Sequence, residues 1–498
     1  MVRRIRFVRT LGLFDAVMLG IGFIIGSGIY IMPLLAAQQA GAFSIFAWIL
    51  GGIFAILTGL CFAECAMHLP KAGGLYTYTH NALGNFTGFL AGYAFWLGYI
   101  ITIATEIFAL SWYMQFFVPL SELWRLLIAG AFGAIFTYIN YRGVKLGAEI
   151  DDIFTIGKMV PLILLIIAGI FFFNPGNFLQ PATDAGALAN PLQGFMLAIL
   201  LALWAYLGAE IITVPEEEIK NARKTVPKAV IVAVLTAMAI YVLVAFVSMG
   251  AVNWHNFQDS QAPLADIANS LFNGFGAILA LGGLISILGA LNAVILASAR
   301  ISYAMASDNL FPKAFMHLHK THKTPDRALI LHFIIAIALV FAVQSFTALA
   351  ALAVLFTLIP YLFTCISTLR LQHRYGIKHI LHTPIIPVIA IIACILLIAY
   401  SLMLNFIAPL VLIAIGLLIY FAITRRLLRN SELLRIENDV KGIERKAVQE
   451  FSGIERIALE VEHKAGEEVR GIENKLGMRR QVEKELEETF RKKKGKQH

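Results

Sequence analysis

Twelve runs of about twenty apolar residues follow one another along this chain, and no other feature restricts its fold so severely. They lie at about 13 to 36, 43 to 68, 86 to 118, 123 to 141, 147 to 173, 192 to 216, 228 to 250, 274 to 305, 328 to 343, 347 to 371, 383 to 404 and 408 to 424. A run of this length crosses the hydrocarbon of a bilayer as a helix, because in lipid a segment must satisfy its own backbone. The expected fold class is therefore an all-α polytopic membrane protein with 12 transmembrane helices. A hydrophobic share of 59%, a charged share of 14% and a mean hydropathy of +0.77 exclude a soluble protein of this length. The first run has no small-residue cleavage site and reads as a span, not a removable leader.

Charge then orients the spans. One set of connecting loops holds Arg3, Arg4, Arg6 and Arg9, then Lys71, Arg142 and Lys145. It continues through Lys220, Arg223, Lys224 and Lys228, the Lys313 to Arg327 segment, Arg370, Arg374 and Lys378, and ends at Arg425 and Arg426. The other set holds one basic residue, Arg125, at a span edge. The positive-inside rule places both termini in the cytoplasm of a multi-pass plasma-membrane protein, as an even number of spans requires. The net charge of +9 is thus topological and calls for no nucleic acid partner. Cys61, Cys65, Cys365 and Cys394 sit inside apolar runs as small buried residues, without disulfide or zinc spacing, so neither metal nor cofactor is expected.

The first run contains its own contradiction. Gly20, Gly22, Gly26 and Gly28 interrupt it near the bilayer centre, each costing roughly 0.8 to 1 kcal/mol of helix stability relative to alanine. Freed backbone groups in hydrocarbon must be satisfied, and discontinuous helices at the midplane are how many secondary transporters hold a charged solute. A second weak point, Trp204-Ala205-Tyr206-Leu207-Gly208, falls in run six. Runs one and six are five apart, an odd number, so two five-helix units of opposite orientation follow, each opened by a broken helix. The expected organisation is a cytoplasmic N-terminus over 1–12 and a transporter domain over 13–426. The latter has inverted repeats at about 13–173 and 192–371 and two further helices at about 383–424.

Residues 427–498 differ in kind. From 430 onward they hold 16 Lys and Arg against 15 Asp and Glu. Apolar or small positions from Ile436 to Leu476 recur every three or four residues, which reads as a long amphipathic cytoplasmic helix. Self-association, a partner protein, contact with membrane lipid and packing on the transporter all remain open for 436–476.

Four motifs in order carry a family resemblance. They are Gly26-Ser27-Gly28-Ile29-Tyr30 with Pro33; Phe62-Ala63-Glu64 leading through Pro70, Gly73 and Gly74 to Tyr76 and Tyr78; Trp204 to Glu210 joined to Glu217 through Pro227; and Tyr303 to Asp308 with Pro312 and Lys323-Thr324-Pro325. Over about residues 10 to 426 the chain resembles the amino acid, polyamine and organocation transporter superfamily, in its prokaryotic amino acid permease branch. It departs from the commonest form at Tyr206, where phenylalanine is frequent, and at Ala222, where proline is. The tail lies outside the family pattern.

The resemblance implies secondary transport of amino acids by alternating access, and the residues supply a chemistry for it. A zwitterion needs a partner for each charge. The half-helix beginning at Ser27, Gly28 and Ile29 offers free amides and a positive dipole end to the carboxylate. Carbonyls near Ile24, Ile25, Trp204, Ala205 and Leu207 face the ammonium, as the resemblance also implies. Gly26, Gly28 and Gly208 permit close backbone approach. Trp204 and Tyr206 read either as an aromatic lid or as packing, and the Ser27 hydroxyl either as a solute contact or as back-bonded within its helix. Side-chain selectivity is expected around Ala94 to Gly98 and Ser286 to Asn292. In proton-coupled members a lysine matching Lys158 stands where sodium sits in related symporters. By that resemblance Lys158 reaches span one near Gly22 and a span-eight group such as Ser286. Proton coupling at Lys158 is the leading reading, and a permanently charged structural lysine the other. Glu64, Glu106 and Glu210, acids within or near apolar spans, read as members of a proton route, and Glu64 and Glu210 equally as gating acids or braces between helices. The lone Gly157-Lys158 pair lacks phosphate-loop spacing, which argues against an ATP-hydrolysing enzyme. An amino acid or polyamine exchanger, and a transporter-like sensor signalling through the tail, are the alternatives.

Overall fold

The computed structural model describes residues 11–69, 73–213, 219–375, 384–404 and 406–425, with the side chains of 144–153, 185 and 375 left out. The N-terminal arginines, Lys71, Glu217 and the expected helix at 436–476 therefore lie outside the described residues. Helices account for nearly everything else. Among the described residues the one β-type pairing is an isolated bridge between Leu11 and Ile219.

Eleven helical stretches are long and apolar enough to cross a membrane. The first of them, Ser27–His68, joins the second half of span one to span two through a short 3-10 turn. Counted with the short apolar helix Leu13–Ile24, every expected crossing has its helix. Span one is Leu13–Ile24 followed by Ser27–Ala40. Spans two to five are Ser44–His68, Asn85–Met114, Glu122–Arg142 and Val144–Phe171. Span six is Pro191–Tyr206 and then a 3-10 stretch, Ala209–Thr213. Spans seven to ten are Ala222–Ala251, Phe275–Ser307, Asp326–Val343 and Phe346–Tyr375. Ile385–Leu404 and Ile407–Arg425 complete the set. Four α-helices lie outside the expected spans: Gly74–Leu83 after span two, Pro175–Phe178 and Ala185–Ala189 before span six, and Pro263–Leu271 before span eight.

Both breaks fall where glycine and the lost hydrogen bonds put them. In span one, Ile25 leaves helical geometry at φ −78° and ψ 89°, and Gly26 begins the second half at φ −113° and ψ −147°. In span six, Leu207 turns extended, and Gly208 takes φ +122°, a conformation that side chains disfavour. The second half of span one packs on the first half of span six, and the first half of span one on Ala209–Thr213. The two broken spans thus run side by side in opposite directions. Spans two and seven, three and eight, and four and nine also pack as pairs. Each span in these pairs meets the one five places on, the spacing that the odd-number argument singled out.

Spans three and eight carry the deepest packing. Nearly all of Asn85–Met114 is buried, whereas Glu122–Arg142 and Ile385–Leu404 present many large apolar side chains outward, among them Trp124, Ile135, Ile395 and Leu396. The buried spans surround the two breaks. All four cysteines are buried thiols outside any disulfide, in spans two, ten and eleven.

Candidate functional site

A small cavity lies between the two breaks. It is about 30 Å³, lined by Phe23, Ile24, Gly26 and Gly28 from span one and by Trp204, Ala205 and Leu207 from span six. Tyr99, Thr102 and Glu106 of span three, Ala290 of span eight and Thr357 of span ten close it. Room for one or two waters is far below the several hundred Å³ of an ordinary small-molecule pocket, so a solute enters only with movement of the walls.

Glycine sets how closely the walls approach. A Cβ on Gly28 would stand 2.6 Å from the Ala205 Cα, so the absent side chain is what lets spans one and six touch. A Cβ on Gly208 would stand 2.3 Å from Cδ1 of Phe23. At Gly26 the space is wider, 3.1 Å to Ala290 Cβ and 3.2 Å to Glu106 Oε1.

The carbonyls freed in span one are largely taken by side chains. Lys158, fully buried, donates from Nζ to the Gly22 carbonyl. The Tyr241 hydroxyl of span seven donates to Ile24 at 2.7 Å, and the Gly26 N–H reaches the same oxygen at 3.0 Å. The Ser286 hydroxyl bridges Ile25 and Gly26, 3.0 Å from each carbonyl. In span six the Trp204 carbonyl accepts the Leu207 N–H at 3.3 Å. The sequence reading offered Ile24, Ile25 and Trp204 to a solute ammonium, and each already holds a protein donor. The reason is general: a peptide carbonyl stranded in a dry interior costs free energy until something donates to it.

Ser27 does not bond back into its own helix. Its hydroxyl donates to Glu106 Oε1 at 3.0 Å, joining the break to span three, while Ile29, two residues further on, is fully buried. Trp204 lines the central cavity and also a second cavity of about 170 Å³, which lies toward the Ala40 end of span one beside Gln38 and Gln39. It therefore stands between the two spaces. Tyr206 differs from its neighbour: its hydroxyl donates to the Trp48 carbonyl at 3.0 Å and its ring packs on Trp48 and Tyr241. Both its hydroxyl and its ring are engaged in helix packing.

The remaining acids divide clearly. Glu210 is fully buried and accepts from Tyr99 at 2.9 Å, Tyr361 at 2.5 Å and the Gly208 N–H at 3.0 Å. It holds the span-six break to spans three and ten. Glu64 accepts from Gln372 at 3.0 Å and ties span two to span ten. Lys158 is further fixed through its own backbone, whose carbonyl receives the Tyr30 hydroxyl at 2.7 Å.

Of the cavity residues, Glu106 has a signal in the sequence as an acid within an apolar run, whereas Tyr99, Thr102 and Thr357 have none as strong. Selectivity was expected at Ala94 to Gly98, but span three contributes Tyr99, Thr102 and Glu106. Their spacing of three and four residues is one helical face, and three polar groups in an apolar run were the available signal. The Ala290 position falls inside the expected span-eight segment. Thr357 carried no signal beyond a hydroxyl in an apolar run.

Compared with known proteins, residues 11–425 match a family described as amino acid permease. The methylthioribose transporter of Bacillus subtilis (strain 168) is 29% identical over 442 residues, spanning 84% of this chain and 94% of that protein. The serine/threonine exchanger SteT of the same organism is 30% identical over 397 residues, 77% of this chain and 88% of that one. Its branched-chain amino acid permease BcaP is 27% identical over 441 residues, 84% and 93% respectively.

Proposed function

This chain belongs to the amino acid permease family, and from that premise we propose that it carries amino acids across the plasma membrane by alternating access, with uptake coupled to protons through Lys158. It is a multi-pass membrane transporter and not an enzyme. Amino acid transport is the activity the family supports.

One observation carries the finer reading: the Lys158 ammonium donates to Gly22 in the very break whose other end lines the solute cavity. While protonated, that ammonium holds the first half of span one against span five. Loss of the proton removes a charged donor from a buried carbonyl and weakens the hold, so the first half-helix is freed to move. A solute whose carboxylate sits on the amides at Ser27 and Gly28 biases the same segment. Two ligands acting on one two-state element are thermodynamically coupled. The basic loops support a cytoplasmic position for the ends of the transporter domain.

Exchange is the second reading, favoured by the likeness to a serine/threonine exchanger. The names of the similar proteins span hydroxylated and branched-chain amino acids and a thio-sugar, so the solute class is chosen by the cavity's own groups. The decisive experiment is uptake of a radiolabelled amino acid panel into proteoliposomes, for wild type and Lys158→Ala. Three drives are compared: an inward proton gradient, an inward sodium gradient, and internal amino acid alone. Proton-driven uptake that is lost in the variant supports symport at Lys158. Uptake that needs internal amino acid and ignores both gradients means exchange.

A further inference from the structure

The loops opposite the basic set hold a single basic residue, and the fold buries it. Arg125, near the start of span four, is only 6% exposed. Its Nη1 donates to the side-chain oxygens of Gln115 and Gln261 and, at 3.5 Å, to the Ser111 carbonyl. All three acceptors are neutral, and Nε is buried with no acceptor among the described residues. The acids closest to these residues along the chain are turned elsewhere. Asp266 accepts from the Ser260 hydroxyl at 2.5 Å, while Glu122 and Asp259 are exposed to water. Neutral oxygens do not offset the desolvation of a buried guanidinium, whereas a negative charge does.

We propose that Arg125 is the centre of a binding site for a small monovalent anion that enters from the face opposite the basic loops. One guanidinium balances one negative charge, so a doubly charged ion would bring an uncompensated charge into a buried place. The donors for such an ion are at hand. With Nη1 committed to the two glutamines, Nε–H is free to donate. Gln115 and Gln261 each carry an amide NH2 that a half-turn of the last side-chain torsion brings round to the anion. The site also has mechanical reach. Gln261 lies two residues before Pro263–Leu271, a helix packed on the second half of span one. Ser111 and Gln115 flank Tyr113, whose hydroxyl donates to the Tyr30 carbonyl at 2.7 Å. An anion shared by Arg125, Gln115 and Gln261 therefore holds that helix and span three together beside the second half of span one.

Thermal unfolding of the full-length protein in nanodiscs of uncharged phosphatidylcholine tests the assignment without any assay of transport. Sodium chloride, sodium acetate and sodium isethionate, a bulky anion, are compared at equal ionic strength. Wild type is expected to gain about 2 °C or more in a small anion over isethionate, saturating with concentration. A gain in chloride identifies a free inorganic ion as the occupant, and a gain confined to acetate identifies a carboxylate. Arg125→Gln is expected to lose the gain. Arg125→Lys keeps a point charge without the planar fork, is expected to need more anion for the same gain, and serves if the glutamine variant does not fold. Equal stability of wild type in all three salts means that Arg125 only clamps its neutral partners, and the proposal falls. It falls equally if the gain survives in Arg125→Gln, or if stabilisation appears only when phosphatidylglycerol is added, which assigns the guanidinium to a lipid phosphate.

Discussion

Spans one and six are broken at corresponding places, yet the two breaks are held by opposite means. In span one the exposed groups are carbonyls, and the donors that meet them come from other spans: Lys158 of span five, Tyr241 of span seven and Ser286 of span eight. In span six the central group is a carboxylate of the break itself. Glu210 folds back onto the Gly208 N–H two residues earlier and draws in Tyr99 and Tyr361. A break whose partners are borrowed can be released by changing one of them, and Lys158 is a partner that a proton can change. A break that carries its own acceptor stays pinned. On the proposed mechanism, this difference makes the first half of span one the candidate for movement and span six the candidate for a fixed wall.

The strongest challenge to that contrast is Lys158→Ala. It removes the charged donor and leaves the Gly22 carbonyl buried without it, a loss of about 1–3 kcal/mol. Uptake in proteoliposomes is expected to fall about 5- to 150-fold, the factors to which about 1 and 3 kcal/mol correspond. Retention of proton-driven uptake would mean that break one does not depend on its borrowed cation.

Next in size is Gly28→Ala. The new Cβ would meet Ala205 Cα at 2.6 Å, backbone that cannot step aside without parting spans one and six. Overpacking of this kind costs about 1–3 kcal/mol, and both the unfolding temperature and uptake are expected to drop, uptake by about tenfold. Gly26→Ala, with its nearest contact at 3.1 Å, is the milder control. Equal effects at the two glycines would show that the close approach of the broken spans is not what Gly28 provides.

How much of this could be read in advance depended on what each residue contrasts with. Spans stood out by length, and the breaks by Gly26-Ser27-Gly28 and Gly208, because glycine in a membrane helix is a local anomaly. Lys158 stood out as a cation among apolar neighbours, and its contact with Gly22 followed from the resemblance. The partners of Ser27, Ile24 and Glu210 did not stand out. Tyr241 and Ile24 are 217 residues apart, and Tyr361 and Glu210 are 151 apart. Membrane helices are apolar on every side, so the polar-versus-apolar stripe that orients a helix in water is missing. For the same reason Trp204 and Tyr206, two residues apart, looked alike although one lines the cavity and the other packs away from it.

Glu210→Gln sharpens the pinned side of the comparison. The amide keeps the shape but replaces one acceptor oxygen with N–H groups that face Tyr361, Tyr99 or Gly208 as a second donor. Thermal unfolding is expected to shift by an equivalent of about 1–3 kcal/mol, with uptake falling less than in Lys158→Ala. A proton-coupling change in this variant, with its stability intact, would reverse the roles assigned to the two breaks.

The smallest expected effect separates the breaks most finely. Ser286→Ala and Tyr361→Phe each delete one hydroxyl, from break one and break six respectively. An ordinary hydrogen bond contributes about 0.5–1.5 kcal/mol, and one given to a charged group about 1.5–3 kcal/mol. The Tyr361 hydroxyl serves a carboxylate, whereas the Ser286 hydroxyl is divided between two neutral carbonyls. Tyr361→Phe should therefore lower the unfolding temperature more, while Ser286→Ala, acting on the segment assigned to move, should change the uptake rate more. If one substitution dominates both measurements, stability and movement are not divided between the two breaks, and the asymmetry in their partners has no functional meaning.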